Sequence, residues 1–344
     1  MVGDGRGSGD LTRGRADDED RLGRAGRGSR PRSRLRPRHD DATAARVVTV
    51  DRGRYGCLLV DGTLAVAMRA RELGRRSVVV GDSVGVVGDV SGGPDALARI
   101  VRVDERRSVL RRTADDEDPH ERIVVANADQ LVVVCAVASP DPQPRLVDRC
   151  LAAAYDAGVD PVLCLTKVDL GPAERVRAIY RPLDIPVVES GADTREAAAD
   201  RLRELMAGRV TVFVGSSGVG KSTLVNVVVP DADQRVNVIS SATGKGLHTT
   251  TAAIALALPD GESWVVDTPG VRSFGLAHID SVRLVTCFPD LAAGTAECPT
   301  DCDHLDVEVC TLDEWVAAGH AHPERLDSLR RLLIQRSTVP PVRQ

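Results

Sequence analysis

Apolar and polar residues follow two different rhythms along this chain. From residue 43 to about residue 110, short apolar runs (RVVTV, YGCLLV, TLAVAM, SVVVGDSVGVVGDV and ARIVRV) are broken every few residues by Gly and Asp, including an Asp61-Gly62 turn. Such close spacing predicts a small closed β-barrel. The acidic stretch ADDEDPHE then reads as a linker. From about residue 124 apolar runs alternate with amphipathic stretches. QLVVVCAVA, PVLCLT, IPVVES and RVTVFVG read as strands, LVDRCLAAAYDAG, AERVRAIYRPL and TREAAADRLRELM as helices, and a further helix opens at Lys221. That alternation predicts an α/β unit with a parallel sheet covered on both faces. Past residue 275 the rhythm gives way to a Cys-bearing loop. Two helices follow, one opening on a capping box, Thr311-x-x-Glu314, and one on Pro323.

Length and composition sharpen this picture. A chain of 344 residues can hold two or three domains, each with its own core. Aromatic residues are only 2% of it, so those cores must be built from Val, Leu, Ala and Ile. Runs such as LVVVCAVA are far too short to span a bilayer, and the Arg- and Asp-rich start has no signal-peptide character. A cytoplasmic monomer with no membrane partner is the expectation. Residues 1–42 carry eleven Arg against eight acids, while the whole chain has 45 basic and 50 acidic residues, so the body is net negative. That arm, rich in Gly, Ser and Pro, cannot bury a core and is expected to be disordered, either touching RNA or simply solubilising the chain. Of eight Cys, four are scattered through apolar segments as reduced core residues, whereas Cys298, Cys302 and Cys310 cluster.

Only three Lys remain in the chain: Lys167, Lys221 and Lys245. Arg replaces Lys wherever a planar fork suffices, so a surviving Lys marks a place needing a compact charge on a thin stem. Lys221 lies in GSSGVGKST, which matches G-x-x-x-x-G-K-[ST]. In that pattern the backbone N–H groups of Gly215, Ser216, Ser217, Gly218, Val219 and Gly220 converge on phosphate oxygens at a helix N-terminus, with Thr223 just beyond. Lys221 reaches the β- and γ-phosphates and Ser222 offers its hydroxyl to Mg²⁺. WVVDTPG supplies D-x-x-G, in which Asp267 holds Mg²⁺ through water and the Gly270 N–H meets the γ-phosphate. Between them lies TGKGLHTTT, where Thr250 is the candidate Mg²⁺ and γ-phosphate sensor. Lys167 lies in TKVD, residues 166–169, which comes before the phosphate loop. There Asp169 would accept from N1–H and N2–H₂ of guanine, a donor pair adenine lacks. Lys167 would pack across the base, with Val168 beside it, and Thr166, where Asn is commoner, would tie this loop to the phosphate loop. Ser190 and Gly191, in ESG, would supply a backbone donor to guanine O6. Finally, ECPTDCDHLDVEVC reads C-x3-C-x-H-x5-C. Cys298, Cys302, His304 and Cys310 suit a closed, structural zinc site.

Base reader before phosphate loop before D-x-x-G is the order of circularly permuted GTPases. On VVVGDSVGV, IVVANADQLVVV, TKVDL, GSSGVGKSTLVN, HTTT, DTPGVRSFGL, FPDL and the Cys/His cluster, residues 45–335 resemble the ribosome small subunit-dependent GTPase A family. The resemblance implies an OB-fold barrel at 43–110, a circularly permuted P-loop GTPase domain at 111–275 and a small α-helical zinc-binding domain at 276–344. It also implies GTP hydrolysis stimulated by the small ribosomal subunit and its rRNA, late in subunit maturation. Members usually place four residues between the first two cysteines where this chain has three, which leaves Cys287 as an alternative first ligand. Val271, directly after D-x-x-G, has no polar atom to orient water, so His248, in the family's G-x-H-T-T-T pattern, is the candidate to do so. Two other readings stay open: a P-loop ATPase with relaxed base choice, and a nucleotide-gated RNA-binding module with little turnover.

Overall fold

Five short strands close on themselves at the start of the structure, a computed structural model that describes residues 39–74, 77–93, 95–113, 121–232, 253–268, 274, 276, 278–279, 281–305 and 308–337. They are β1 (Thr43–Asp51), β2 (Arg54–Leu59), β3 (Leu64–Arg69), β4 (Ser83–Gly88) and β5 (Ala98–Val103), paired in the order β1-β2-β3-β5-β4 with β4 returning to β1. All these pairs are antiparallel except β3–β5. Alternate residues point inward, and Val47, Cys57, Ala65, Ala67, Val86, Ala98 and Ile100 fill the interior. Small inward residues suit so narrow a barrel.

After the barrel, β6 (Val109–Thr113) and β7 (Glu121–Ala126) form an antiparallel pair of their own, an element the alternation of residues did not reveal. Charged residues interrupt both strands, and the acidic stretch between them reads as a linker. The main sheet follows: β8 (Gln130–Ala136), β9 (Asp160–Thr166), β10 (Val187–Ser190), β11 (Val210–Val214), β12 (Ile254–Ala257) and β13 (Trp264–Asp267). Their spatial order is β10-β9-β8-β11-β13-β12, parallel throughout except for β12. Helices α1 (Pro144–Ala157), α2 (Glu174–Tyr180), α3 (Arg195–Met206) and α4 (Lys221–Val228) connect these strands where the amphipathic stretches lie. Each strand residue in the middle of this sheet is buried on both faces, hence the continuous apolar runs in β8, β9 and β11. Helices α3 and α4 cover one face through Ala198, Leu202, Met206, Leu224 and Val228.

The other face is covered jointly. Helix α1 packs there against α8 (Pro323–Ser337), on which α5 (Ser281–Thr286) and α7 (Leu312–Ala317) lie, with α6 (Pro289–Ala292) against α5, so that Leu151, Ile179, Phe288, Leu291 and Leu329 share one core. Helices α5 and α6 occupy part of the segment read from sequence as loop. The capping box does not form: Thr311 has helical backbone angles, φ −72° and ψ −8°, and makes no cap bond. Its hydroxyl instead donates to the Gly294 carbonyl at 3.1 Å and lies 3.0 Å from Cys298 Sγ.

Deep in the shared core, Arg325 of α8 reaches Asp290 of α6 through Nε and one Nη (both 2.7 Å) and Asp148 of α1 through the other (2.8 Å). All three side chains are at most 1% exposed. Burial pushes the Asp148 carboxyl up to about 6, although Arg325 pulls the other way. One guanidinium thus serves two carboxylates across the junction of α1 with the C-terminal helices. Arg325→Met is expected to cost about 3–5 kcal/mol, because it leaves buried acids without a counter-charge. Carboxyls whose folded pKa is raised favour the folded state below their unfolded value, near 4, and lose that contribution as pH rises. Urea unfolding should therefore show a larger deficit at pH 8 than at pH 5. An equal deficit at both would rule out this electrostatic account.

No described helix is long and apolar enough to cross a membrane.

Candidate functional site

Five adjacent parallel strands deliver their C-terminal ends to one rim. Register places Thr166 of β9 beside Ser190 of β10 and beside Ala136 of β8, and Asp267 of β13 beside Phe213 of β11. From β8 the chain runs outward through β9 and β10, whereas from β11 it runs the opposite way through β13. The rim is therefore a topological switch point, where loops diverge and open a crevice.

The loop from Gly215 to Gly220 leaves β11 and enters α4 at Lys221. Gly215 lies against β8 so closely that a Cβ there would sit 2.6 Å from the Val134 carbonyl oxygen. Gly220 caps α4 at φ 93°, a left-handed angle that any side chain would resist. Between them Ser217 and Gly218 are exposed, Ser216 is half-buried, and Val219 is buried. Ser222 and Thr223 open the first turn with their side chains exposed. Lys221 is only 11% exposed and pairs with Asp267 at the end of β13, so the cation of the phosphate loop and the carboxylate of D-x-x-G lie within direct reach.

The TKVD segment sits on the neighbouring strand end. Thr166 Oγ1 donates to the Val219 carbonyl at 2.5 Å, binding the two loops together. Lys167 turns through a left-handed conformation, φ 59°, and its ammonium donates to the Ser139 carbonyl. The Val168 N–H reaches the Ser190 carbonyl at 3.4 Å. Asp169 is exposed, and its Oδ1 accepts the Ala192 N–H at 3.1 Å beside Gly191. A cleft with about 200 Å³ of room is lined by Lys167, Asp169, Ser190, Gly191, Gly220 and Thr223, among others. Two stretches some fifty residues apart in sequence thus form one pocket. His248, Thr250 and Gly270 lie outside the described residues.

The Cys/His cluster lies beyond α6. The ligand atoms of Cys298, Cys302, His304 and Cys310 all fall within 4.8 Å of one another. Cys298 Sγ is 4.0 Å from Cys310 Sγ and 3.6 Å from His304 Nδ1, and Cys310 Sγ is 3.7 Å from that nitrogen. Thiolate and imidazole bonds of about 2.3 and 2.0–2.1 Å, set tetrahedrally, give edges of roughly 3.8 and 3.5 Å. The donor set fits a metal ion. Burial works against ionising Cys298, but hydrogen bonds from Thr311, Cys310 and Cys302 together lower its pKa. Burial pushes Cys310 up to about 11 and lowers the His304 pKa. Arg330 of α8 steadies the loop, donating to the His304 carbonyl at 3.0 Å and pairing with Asp313. Cys287 stands apart, its thiol donating to the Arg283 carbonyl at 3.4 Å and pushed up to about 11 by burial. The shortened spacing therefore still brings Cys298 into the cluster. Cys57, Cys150 and Cys164 are buried thiols raised to about 12.

Comparison with known proteins agrees with this geometry. A family model described as RsgA GTPase matches residues 103–277. A Pseudomonas aeruginosa (strain LESB58) protein, "Small ribosomal subunit biogenesis GTPase RsgA", is 41% identical over 248 residues, covering 70% of this chain and 72% of the relative. One of the same name from Chlorobaculum parvum is 35% identical over 296 residues, covering 83% and 93%. Among solved structures, YjeQ from Thermotoga maritima superposes with a TM-score of 0.66 at 24% identity, over 87% of this chain and 99% of that one. YloQ, described as a circularly permuted GTPase, gives 0.63 at 21% identity over 88% of this chain and 98% of that one. Both share the fold seen here.

Proposed function

The chain belongs to the RsgA GTPase family, and on that premise we propose that it hydrolyses GTP to GDP and phosphate while acting in biogenesis of the small ribosomal subunit. One observation carries the reading: the Thr166–Val219 bond joins the base-reading loop to the phosphate loop at the mouth of a single cleft. In that cleft the Asp169 carboxylate accepts from N1–H and N2–H₂ of guanine, and Lys167 packs across the base. The N–H groups from Ser216 to Lys221 hold the phosphates. Lys221 exchanges its bond to Asp267 for the β- and γ-phosphates. Oxygen donors from Ser222, Asp267 and Thr250 would hold Mg²⁺, which supplies charge to offset that developing on the transferred phosphoryl group. His248 orients the attacking water, and the Gly270 N–H meets the γ-phosphate.

The remaining assignments follow the same reading. Residues 1–42 form an arm, 43–110 the barrel, 111–275 the nucleotide domain and 276–344 the domain of the metal cluster. One zinc ion, bound by Cys298, Cys302, His304 and Cys310, has a structural role, since four protein ligands leave no open position. The partners are GTP, GDP and the small ribosomal subunit with its rRNA, met in the cytoplasm by a monomer.

Multiple-turnover phosphate release tests this function. Purified small ribosomal subunits should raise the rate with GTP, and ATP should give little in their presence or absence. Equal turnover of ATP, or a GTP rate indifferent to subunits, would overturn it. The base reading has its own test in Asp169→Asn. Losing two charge-assisted acceptors should weaken GDP binding about 10²-fold or more. The amide offers a donor where xanthine carries a carbonyl, so XDP should bind the variant better than GDP does. Fluorescence titration with both nucleotides measures the exchange, and unchanged GDP affinity would remove Asp169 from base recognition.

A further inference from the structure

We infer that Arg195, the first residue of α3, is a specificity-determining residue that donates to the O6 and N7 edge of guanine. The inference rests on the guanine reading above. Guanine presents donors on one edge and two acceptors, O6 and N7, on another. An ionised Asp169 accepts only, so the acceptor edge must find its N–H or O–H elsewhere.

The loops around the cleft have little left to give. The Thr166 hydroxyl is committed to the Val219 carbonyl at 2.5 Å. The Gly191 N–H, expected from the sequence as a backbone donor to O6, goes instead to Thr194 Oγ1 at 2.8 Å, and the Ala192 N–H goes to Asp169 Oδ1 at 3.1 Å. The Lys167 ammonium is bonded to the Ser139 carbonyl. Hydroxyls of Ser190 and Thr223 remain in the lining, each with one proton and neither able to span two acceptors. Arg195 lines the same cleft, is half-buried, and forms no ion pair or hydrogen bond with any described residue. Its fork matches the spacing of O6 and N7, the geometry in which Arg most often reads guanine. Its position is also electrostatically unfavourable. A cation in the first turn of a helix opposes the macrodipole, and a half-buried guanidinium without an acid loses hydration with nothing in return. An acceptor from the base supplies the missing partner. The donor for this edge then comes from the residue that opens the helix after β10.

Binding of GDP, 7-deaza-GDP and ADP to the wild type and to Arg195→Met tests the assignment by titration. Methionine keeps an apolar stem and removes the fork, and matched unfolding curves establish that the variant is intact. The wild type should prefer GDP to ADP and lose several-fold affinity for 7-deaza-GDP, which has carbon at position 7. Arg195→Met should bind GDP about 10-fold more weakly, no longer distinguish 7-deaza-GDP, and leave ADP affinity unchanged. If the wild type prefers GDP but the variant matches it, or loses GDP and ADP alike, Arg195 does not read the base and the guanine reading stands. If the wild type shows no preference for GDP over ADP, the guanine reading fails and the role of Arg195 falls with it.

Discussion

Lys221→Ala is expected to lower phosphate release from GTP, at saturating nucleotide and with small ribosomal subunits present, by at least about 10²-fold. Lys221 is 11% exposed and already faces the Asp267 carboxylate, so its charge acts in a site where water screens it poorly. Alanine removes that charge from the oxygens where negative charge grows during transfer. Lys221→Arg is the sharper experiment. The chain uses Lys three times among 45 basic residues, so the tendency toward Arg was resisted here. Lysine carries its charge as a compact point on a thin stem, whereas arginine brings a broad planar fork to the same place. The arginine variant should lose at least about 10-fold, read as single-turnover phosphate release. Turnover near the wild-type rate would mean that charge alone matters at this position, and the compositional argument would fail.

The second large effect concerns Cys302. Its side chain is only half-buried, so Cys302→Ser removes one donor of the proposed metal site while disturbing little packing. On the proposed zinc site, metal content by atomic absorption should fall from one zinc per chain in the wild type to near zero in the variant. Structural zinc sites supply apparent binding energies of about 10–16 kcal/mol at neutral pH, as large as the whole stability of a typical domain. Besides the cluster, the loop is held by Arg330 and by apolar residues of α7 and α8 such as Leu312, Leu326, Leu329 and Leu333. These helices also carry Arg325 into the core beside α1, so their loss should unsettle the junction as well. Thermal unfolding of Cys302→Ser should show an early transition that is reproduced by stripping the wild type with a chelator. A variant that keeps its zinc, or loses it with no change in unfolding, would contradict a structural metal.

Much of this was legible in the residues themselves, and what was not has physical causes. The two loops that meet at the cleft stood out as motifs because each packs fixed residue types at close spacing: Gly215 to Ser222 and Thr166 to Asp169 each fit within ten positions. The strands β8, β9 and β11 were visible because burial on two faces demands an unbroken apolar run. The barrel strands showed as short runs between turn residues. By contrast, the β6–β7 pair joins segments whose Arg residues hide the alternation, and its existence depends on a partner rather than on either strand alone. Thr311 looked like a helix cap because the pattern of Ser/Thr and Glu is local, yet its hydroxyl was taken by Gly294 and the neighbourhood of Cys298, which no local rule anticipates. Asp148, Asp290 and Arg325 stand so far apart in sequence that no spacing could announce their meeting. Arg195 was missed for a similar reason. It falls outside the motif, and its meaning comes from donors elsewhere already being committed.

The barrel and the nucleotide sheet are not separate in hydrogen bonding. Strand β1 pairs with β4 through its first residues, Thr43 to Arg46, and farther along, at Thr49, it pairs with Ile254 of β12. Arg46 also lies over the Trp264 ring, 4.8 Å from its centroid. Strand β12 would otherwise be the rim of the larger sheet, a row of unanswered amides and carbonyls that invites another chain to attach. The barrel acts as its cover. A nucleotide domain cut free at residue 104 would therefore carry a sticky margin along β12, and self-association rather than unfolding is the fate its architecture assigns to such a fragment.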